Sequence, residues 1–209
     1  SRGLGDVYKR QDIVLVCVKT TANAALATLL PQIAKPTAQI LVLQNGLNNE
    51  MQLVPIVPQA QWFGGLCFIC AEKTAPGTIH HQAYGAIQIG AHTKNASTDT
   101  LHQHLTHAQI PTTINPDLIS ARWQKLIWNI PFNGLCTLHN TTTQTLLKNA
   151  RCEITALMQE VLATAHALGH TVPADTPEKM LAATETMPDY APSMLVDART
   201  KRPLELEMI

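Results

Sequence analysis

The sequence predicts an α/β domain followed by an all-α domain. Two short apolar runs rich in β-branched residues, 12–20 and 39–46, are typical of strands buried on both faces of a parallel sheet, and the segment 20–33 between them has helical spacing. A strand, a helix and a second strand in this order form a β-α-β unit with a right-handed crossover. Beyond about residue 118 only helical patterns appear, so the chain changes from α/β to all-α near Asn115.

The remaining elements follow from the same periodicities. A short helix near 48–54 leads to a strand at 62–72, and alternating apolar residues predict antiparallel strands in GTIHH and AIQIGAH. A surface helix over 98–110 and an extended segment over 110–118 complete the first domain. The helices expected in the second domain cover residues 118–138, 141–148, 150–169, 174–187 and 191–200, with a restart at Pro203.

Composition argues against several classes of protein. The chain of 209 residues carries 15 basic and 15 acidic residues, so no net charge favours nucleic acid or an anionic membrane. Its longest apolar runs are far shorter than the ~20 residues of a membrane-spanning helix, and we expect a soluble protein without a membrane partner. The 5 cysteines are odd in number and mostly lie in apolar runs, which is typical of buried thiols in the cytoplasm.

The sequence contains no recognisable motif for binding a metal ion or a phosphate group. Cys67 and Cys70 form CFIC, but the pair lies in a predicted strand and has no second pair to complete a zinc site. The sequence contains no glycine-rich phosphate turn and no nucleophile elbow. We therefore expect no metal, and we expect surface positions for the histidines His80, His81, His102, His104 and His107.

Polar residues follow both predicted strands of the β-α-β unit. Lys19 comes directly after IVLVCV, and Asn45 with Gly46 follows ILVLQ. Adjacent parallel strands end at one edge of a sheet, and ligands of open α/β sheets bind in the crevice outside that edge. Ordinary turn chemistry explains each residue alone, whereas two successive polar strand ends indicate a ligand site.

The segment 121–134, ARWQKLIWNIPFNG, predicts a helix that is apolar on most faces but carries one polar stripe. Lys125, Asn129 and Asn133 recur every four residues, a spacing that keeps them on one slowly drifting face. A lysine in such a helix must pair, reach solvent or lower its pKa, and buried amides need hydrogen-bond partners. Because Pro131 cannot donate to the preceding turn, we expect a kink. A kinked helix with this stripe suits the wall of a wet cleft.

A third candidate region is SMLVDARTKRPLELE, residues 193–207. Ser193 and Glu205 flank a basic stretch in which Arg199, Lys201 and Arg202 are explained as a solvated face. That explanation does not account for Glu205 at the start of an apolar segment.

Neither end of the chain has the pattern of a natural terminus. Residues 1–11, SRGLGDVYKRQ, show no helical or strand period, and codons for DVYKRQ resemble a transposon end used in sequencing adapters. We therefore expect residues 1–11 to be an assembly artefact. PLELEMI stops inside an apolar segment without a cap, so we expect an internal fragment of a longer protein.

Five motifs together resemble the ketopantoate reductase (2-dehydropantoate 2-reductase) family. They are VCVKT, LQNG, G-T-I-x-H followed by IQIG, RWQKLIWNIPFN, and SML-x-D-x-R-x-x-R-P-x-E-x-E, in the family's order. The resemblance implies that residues 12–116 are the C-terminal portion of a Rossmann-type NADP-binding domain. It implies that residues 117–209 are a truncated helical domain of the 6-phosphogluconate-dehydrogenase-like type, which binds substrate and allows a homodimer.

The resemblance also implies an activity, the reduction of a small-molecule 2-keto acid, ketopantoate, by NADPH in pantothenate and coenzyme A biosynthesis. Lys125 matches the family's general acid, and an ammonium there agrees with the negative charge that develops on a ketone oxygen as hydride arrives. The other residues carried over by position are Asn129, Asn133, Ser193 and Glu205 for the substrate, and Lys19, Asn45 and Glu205 for the cofactor. We expect these residues to converge on one interdomain cleft.

The sequence also departs from the family. The glycine-rich turn and the basic residue that selects NADP should precede residue 12, and further helices should follow Glu205; Asn48 stands where many members have glycine. We therefore expect the chain as written to bind NADPH poorly. Two alternatives stay open: a related reductase of another 2-keto acid, and a non-catalytic nucleotide-binding sensor, against which the presence of Lys125 and Glu205 argues.

Overall fold

The computed structural model describes residues 10–209, and the chain divides into two compact units, Ser1–Leu118 and Ile119–Ile209. The segment 1–11, expected to be an artefact, lies outside the described residues except for Arg10 and Gln11, and the first strand begins at Gln11. No helix in the described part of the chain is long and apolar enough to cross a membrane.

A five-stranded sheet organises the first unit. Its strands run in the order β1 to β5; the first three are parallel, β4 is antiparallel to β3, and β5 is parallel to β4. The strands are β1 (Gln11–Val16), β2 (Ala34–Val42), β3 (Gln61–Ala75), β4 (Thr78–Ala91) and β5 (Thr112–Ile114). The first-unit helices are α1 (Asn23–Ile33), α2 (Asn49–Leu53) and α3 (Thr98–His107), with short 3-10 helices at Thr20–Ala22 and Val54–Ile56.

The predicted β-α-β unit is confirmed, but its first strand is not buried on both faces. Val14 and Val16 pack into a core cluster with Leu26 and Leu30 of α1, whereas Leu15 between them is 49% exposed. Alternate side chains of any strand point to opposite faces of the sheet, and at β1, the edge strand of the described sheet, the face that carries Leu15 is left partly uncovered. A continuous apolar run therefore did not distinguish an edge strand from a central one.

The opposite face of the sheet carries a second core cluster, in which Leu41, Phe63 and Ile89 pack with Leu101 and Leu105 of α3. The prediction of a surface helix is confirmed, because α3 packs these two leucines against the sheet and exposes most of its other side chains. Of the five histidines expected at the surface, four are exposed: His80, His81, His104 and His107. The fifth, His102, is half-buried, and its Nε2 lies 3.0 Å from the Thr112 carbonyl oxygen.

The two antiparallel strands predicted in GTIHH and AIQIGAH are one long strand, β4, paired with β3 over its length. The ladder continues past the polar segment because register shifts between Phe68 and Ile69, and again further along, absorb extra residues. Tyr84 (φ 66) and Gly85 (φ 139) form the matching irregularity in β4, where His81 Nε2 lies 2.8 Å from the Tyr84 carbonyl.

The second unit is helical, as predicted. Its helices are α4 (Leu118–Leu138), α5 (Thr143–Ala167), α6 (Thr176–Thr186) and α7 (Ser193–Arg199), with α4 beginning at the last residue of the first unit. The two helices expected at 141–148 and 150–169 form one kinked helix, α5, in which Ala150 has non-helical angles (φ −134, ψ 30). The helical restart at Pro203 is wrong: residues 206–208 form only a turn, in which Ile209 N–H donates to the Glu205 carbonyl at 3.3 Å.

Asp189 caps helix α5 from a neighbouring loop. Its carboxylate accepts hydrogen bonds from the Thr142 hydroxyl at 2.7 Å and from the Gln144 backbone N–H at 3.0 Å. Desolvation raises the pKa of Asp189, but these two bonds, a third from the Tyr190 N–H and the charge of Lys148 outweigh it. The net effect is a pKa below the ordinary aspartate value, so the folded state favours the ionised cap.

We expect Asp189→Ala to destabilise the protein at pH 7 by about 1 kcal/mol, the usual effect of losing a helix cap. Because the folded-state pKa is lowered, the contribution is present above the unfolded value near 4 and is lost as the pH falls through the folded value. Urea unfolding at several pH values should therefore show the variant and the wild type converging in acid.

The matched control is Asp175→Ala, at the N-cap position of α6. Its side chain makes no capping hydrogen bond and forms an exposed ion pair with Lys179 at 2.8 Å, so we expect a change within about 0.5 kcal/mol. Equal losses at the two sites, or a difference at Asp189 that persists below its folded pKa, would contradict the assigned cap.

Candidate functional site

In the first unit, the polar strand ends lie at the carboxyl edge of β1 and β2. Lys19 is half-buried in the turn after β1, where its carbonyl accepts from the Ala22 N–H at 2.9 Å and starts a 3-10 helix. Asn45 follows β2, and its carbonyl accepts from Asn49 Nδ2 at 2.8 Å. The structure thus brings Lys19 and Asn45 to the same edge of two paired strands.

The turn after β2 depends on two residues with positive φ. Gly46 has φ 92, and Asn48 has φ 60 as the N-cap residue of α2. Glycine adopts this region without a steric penalty, and asparagine tolerates it better than most other residues. The left-handed backbone at Asn48 therefore explains how asparagine can stand where many relatives were expected to have glycine.

Sequence reasoning missed three buried polar residues beside these strand ends, Gln44, Asn49 and Glu50. Gln44 Nε2 donates to the Val18 carbonyl at 2.8 Å and to Asn23 Oδ1 at 2.7 Å. The polar cluster QNGLNNE directly after an apolar run was the available signal, but the sequence could not show which of its amides point inward.

In the second unit, the polar stripe of α4 is real but unevenly buried. Lys125 is half-buried, whereas Asn129 is 7% and Asn133 is 3% exposed. The helix continues through Pro131 as one element, and the kink expected there stays a prediction. Buried amides must find partners or line an opening, which keeps this stripe the strongest candidate for polar recognition in the unit.

Asn133 and Ser193, far apart in sequence, are brought together. Asn133 Oδ1 accepts from the Met194 backbone N–H at 3.1 Å and lies 3.5 Å from the Ser193 hydroxyl. Both contacts are at the first turn of α7, where backbone N–H groups lack partners within the helix. Asn133 therefore anchors the start of α7 against α4, and Ser193 lies beside the stripe.

Glu205 is buried and follows a loop held by an ion pair. Arg202 Nε lies 3.1 Å from the carboxylate of buried Asp197, and the Arg202 N–H donates to the Asp197 carbonyl at 2.9 Å. Arg199 Nε donates to Asn140 Oδ1 at 2.8 Å, beyond the end of α4. Both arginines are exposed, in keeping with the interpretation of this stretch as a solvated face, but each also has a specific partner.

Cys67 and Cys70 lie in β3 as predicted, and all five cysteines are free thiols. Burial raises the pKa of Cys136 to about 12, with Asp189 adding to the shift and Arg199 opposing it, so this thiol stays protonated. The cysteines were expected to be mostly buried, but only Cys136 is fully buried among them, and Cys17 and Cys152 are exposed. Among residues 10–209, no group of three His, Cys, Asp or Glu side chains is placed to hold a metal ion.

Lys19 and Asn45 belong to one unit, and Lys125, Asn129, Asn133, Ser193 and Glu205 belong to the other. Within each unit the structure positions these residues as described above. Their convergence on one cleft stays a prediction.

Two family descriptions match the chain, one in each part. Residues 6–94 match the ketopantoate reductase PanE/ApbA family, and residues 117–209 match the ketopantoate reductase PanE/ApbA C-terminal family. A 2-dehydropantoate 2-reductase from Nostoc sp. is 41% identical over an alignment of 208 residues that covers 95% of this chain and 65% of that protein.

Solved structures show the same relationship. A 2-dehydropantoate 2-reductase from Methylococcus capsulatus is 35% identical with a TM-score of 0.86, covering 97% of this chain and 66% of that one. One from Geobacter metallireducens is 35% identical with a TM-score of 0.89, covering 95% and 68%. The chain therefore spans about two thirds of the length of these relatives, and over that length it belongs to the ketopantoate reductase PanE/ApbA family.

Proposed function

We propose that the full-length protein is an NADPH-dependent 2-dehydropantoate 2-reductase. The observation that carries this proposal is the joining of Asn133 to the start of α7, which puts the polar stripe of α4 beside the Ser193 hydroxyl. The family match supports it, because relatives named for this reaction align with nearly the whole chain. The substrate is a small 2-keto acid, and the free thiols are in keeping with a cytoplasmic enzyme.

The proposed reaction adds one hydride and one proton to a ketone. Bound NADPH, which Lys19 and Asn45 would help to hold, would be the source of the hydride for the carbonyl carbon and would thereby be oxidised to NADP⁺. The Lys125 ammonium stabilises the negative charge that develops on the carbonyl oxygen and donates its proton there, so that the ketone becomes a secondary alcohol. Solvent then returns a proton to Lys125.

The remaining residues divide between substrate and cofactor. Buried amides and a hydroxyl are suited to the carboxylate and hydroxyl groups of a 2-keto acid, and we assign this role to Asn129, Asn133 and Ser193. Lys19 and Asn45 lie at the carboxyl edge of parallel strands, which is where dinucleotides bind in such sheets, so the residues present fit NADPH. Glu205 is assigned to hydroxyl groups of either molecule.

The test is turnover by the purified full-length protein. NADPH oxidation followed by absorbance should be fast with ketopantoate and slower with unbranched 2-keto acids. Substrate preference for another 2-keto acid would select the related-reductase alternative, and dinucleotide binding without any turnover would select the sensor.

A second experiment tests the site itself by replacing one asparagine of the polar stripe. We expect Asn129→Ala to raise KM for ketopantoate about tenfold or more, because a polar group of the bound substrate loses its partner. Asn149→Ala, on the exposed surface of α5, is the matched control and should leave KM unchanged. Equal KM values for the two variants would remove Asn129 from the site.

A further inference from the structure

The side chain of Gln44 extends the contact between β1 and β2 beyond their backbone pairing. The strands are paired as far as Val16 and Val42, and the Leu43 N–H donates to the Val16 carbonyl at 3.0 Å. Two residues beyond the end of the first strand, the donor to the Val18 carbonyl is the Gln44 side-chain amide, at 2.8 Å. A side chain thus holds the chain at Val18 while the backbone of the other strand turns away at Asn45.

The same amide group is tied to helix α1. Gln44 Nε2 also donates to Asn23 Oδ1 at 2.7 Å, and Asn23 is the first residue of that helix. One buried side chain, only 5% exposed, therefore spans both ends of the segment 18–23. Both bonds come from one planar amide, so the two anchor points are held at a fixed separation.

Lys19 lies directly inside the segment that Gln44 holds. Its backbone is extended (φ −65, ψ 153), and its carbonyl receives the first bond of the 3-10 helix Thr20–Ala22. A lysine side chain has many rotamers, so the position of its ammonium group depends on how firmly its backbone is held.

We propose that Gln44 is a positioning residue for Lys19, and that through Lys19 it sets the affinity for the dinucleotide. This inference rests on the proposed function for its last step only. Gln44 itself need not touch the cofactor, because its amide is already engaged by Val18 and Asn23.

The test compares Gln44→Met, which keeps the length of the side chain but removes the donor, with Gln39→Met. Gln39 is also buried and lies on β2, so it is a matched control on the same strand. Hydrogen–deuterium exchange of the full-length protein reports on residues 17–23, and titration with NADPH, followed by its fluorescence, reports on affinity.

We expect Gln44→Met to speed exchange in residues 17–23 and to raise the Kd for NADPH about tenfold, the size expected if Lys19 loses one hydrogen bond to the cofactor, while kcat at saturating NADPH is maintained. In a Lys19→Ala background the same change should raise the Kd by less than about twofold, because the group being positioned is gone. Gln39→Met should alter neither exchange nor Kd.

Each contrary outcome has a distinct meaning. Unchanged exchange in residues 17–23 would overturn the positioning role, whether or not the protein is a reductase. Faster exchange with unchanged Kd, or an undiminished effect in the Lys19→Ala background, would overturn the link to the dinucleotide. A wild-type protein that binds no NADPH would refute the proposed function, and with it that link, while the exchange data would still decide whether Gln44 holds the segment.

Discussion

Lys125→Ala is expected to lower kcat for ketopantoate reduction by about 10² to 10⁴, the usual contribution of general acid catalysis. Without the ammonium group, the charge that develops on the carbonyl oxygen has neither a proton donor nor a nearby cation to stabilise it. The effect should fall on kcat, measured by NADPH oxidation under saturating substrate. KM should change less, because the carbonyl oxygen of the bound ketone carries only a partial charge before hydride arrives.

Lys179→Ala is the matched control for Lys125. It removes an exposed lysine from another helix of the same unit, α6, where the ammonium pairs with Asp175 at the surface. Its kcat should equal that of the wild type. Lys125→Arg should recover little of the lost rate, since a guanidinium keeps the charge but is a poor proton donor at neutral pH. Full activity of Lys125→Ala would refute the general acid assignment.

Phe132→Ala is expected to cost about 3–5 kcal/mol of folding free energy, the range for truncating a fully buried aromatic ring. Phe132 is 0% exposed and stacks on Trp128, with ring centroids 4.7 Å apart. Trp128 in turn donates from Nε1 to Thr184 Oγ1 at 2.9 Å, which joins α4 to α6. Truncating Phe132 would therefore leave a cavity next to the contact that joins α4, the helix with the polar stripe, to α6.

Urea unfolding followed by far-UV circular dichroism measures this loss. Leu138→Ala is the control on the same helix, because Leu138 is 75% exposed and its truncation should change stability by no more than about 0.5 kcal/mol. Since the chain has two compact units, unfolding should be followed in a Trp62→Phe background, in which the remaining tryptophans, Trp123 and Trp128, report on the helical unit. A loss below about 1 kcal/mol for Phe132→Ala would mean that the packing around α4 is not what holds the helix in place.

The order of strands and helices could be predicted from periodicity, since strands and helices place apolar residues at different intervals. The exposure of individual strands could not. Leu15 lies in an apolar run of the kind found in central strands, yet β1 is the edge of the described sheet and exposes that side chain. Neighbours in a sheet come from elsewhere in the chain, so no local pattern records which strand lies at the edge.

The candidate site shows the same division at the level of single residues. The shared helix face of Lys125, Asn129 and Asn133 could be predicted from the sequence, because a step of four residues returns a helix to nearly the same face. The partners of polar side chains could not: Arg202 pairs with Asp197, and Gln44 reaches back to Val18. Both contacts lie beside turns of the backbone with positive φ. Arg202 directly follows Lys201 (φ 56), and Gln44 lies two residues before Gly46 (φ 92).

By itself the sequence determined the family, the two-part organisation and the polar stripe on α4, because these depend on residue types at short, regular intervals. Only the tertiary structure decided that Asn133 anchors α7 beside Ser193 and that Gln44 ties the segment carrying Lys19 to α1. The physical reason is that a buried amide has a fixed number of donors and acceptors. Which groups satisfy them is settled only when distant parts of the chain pack together.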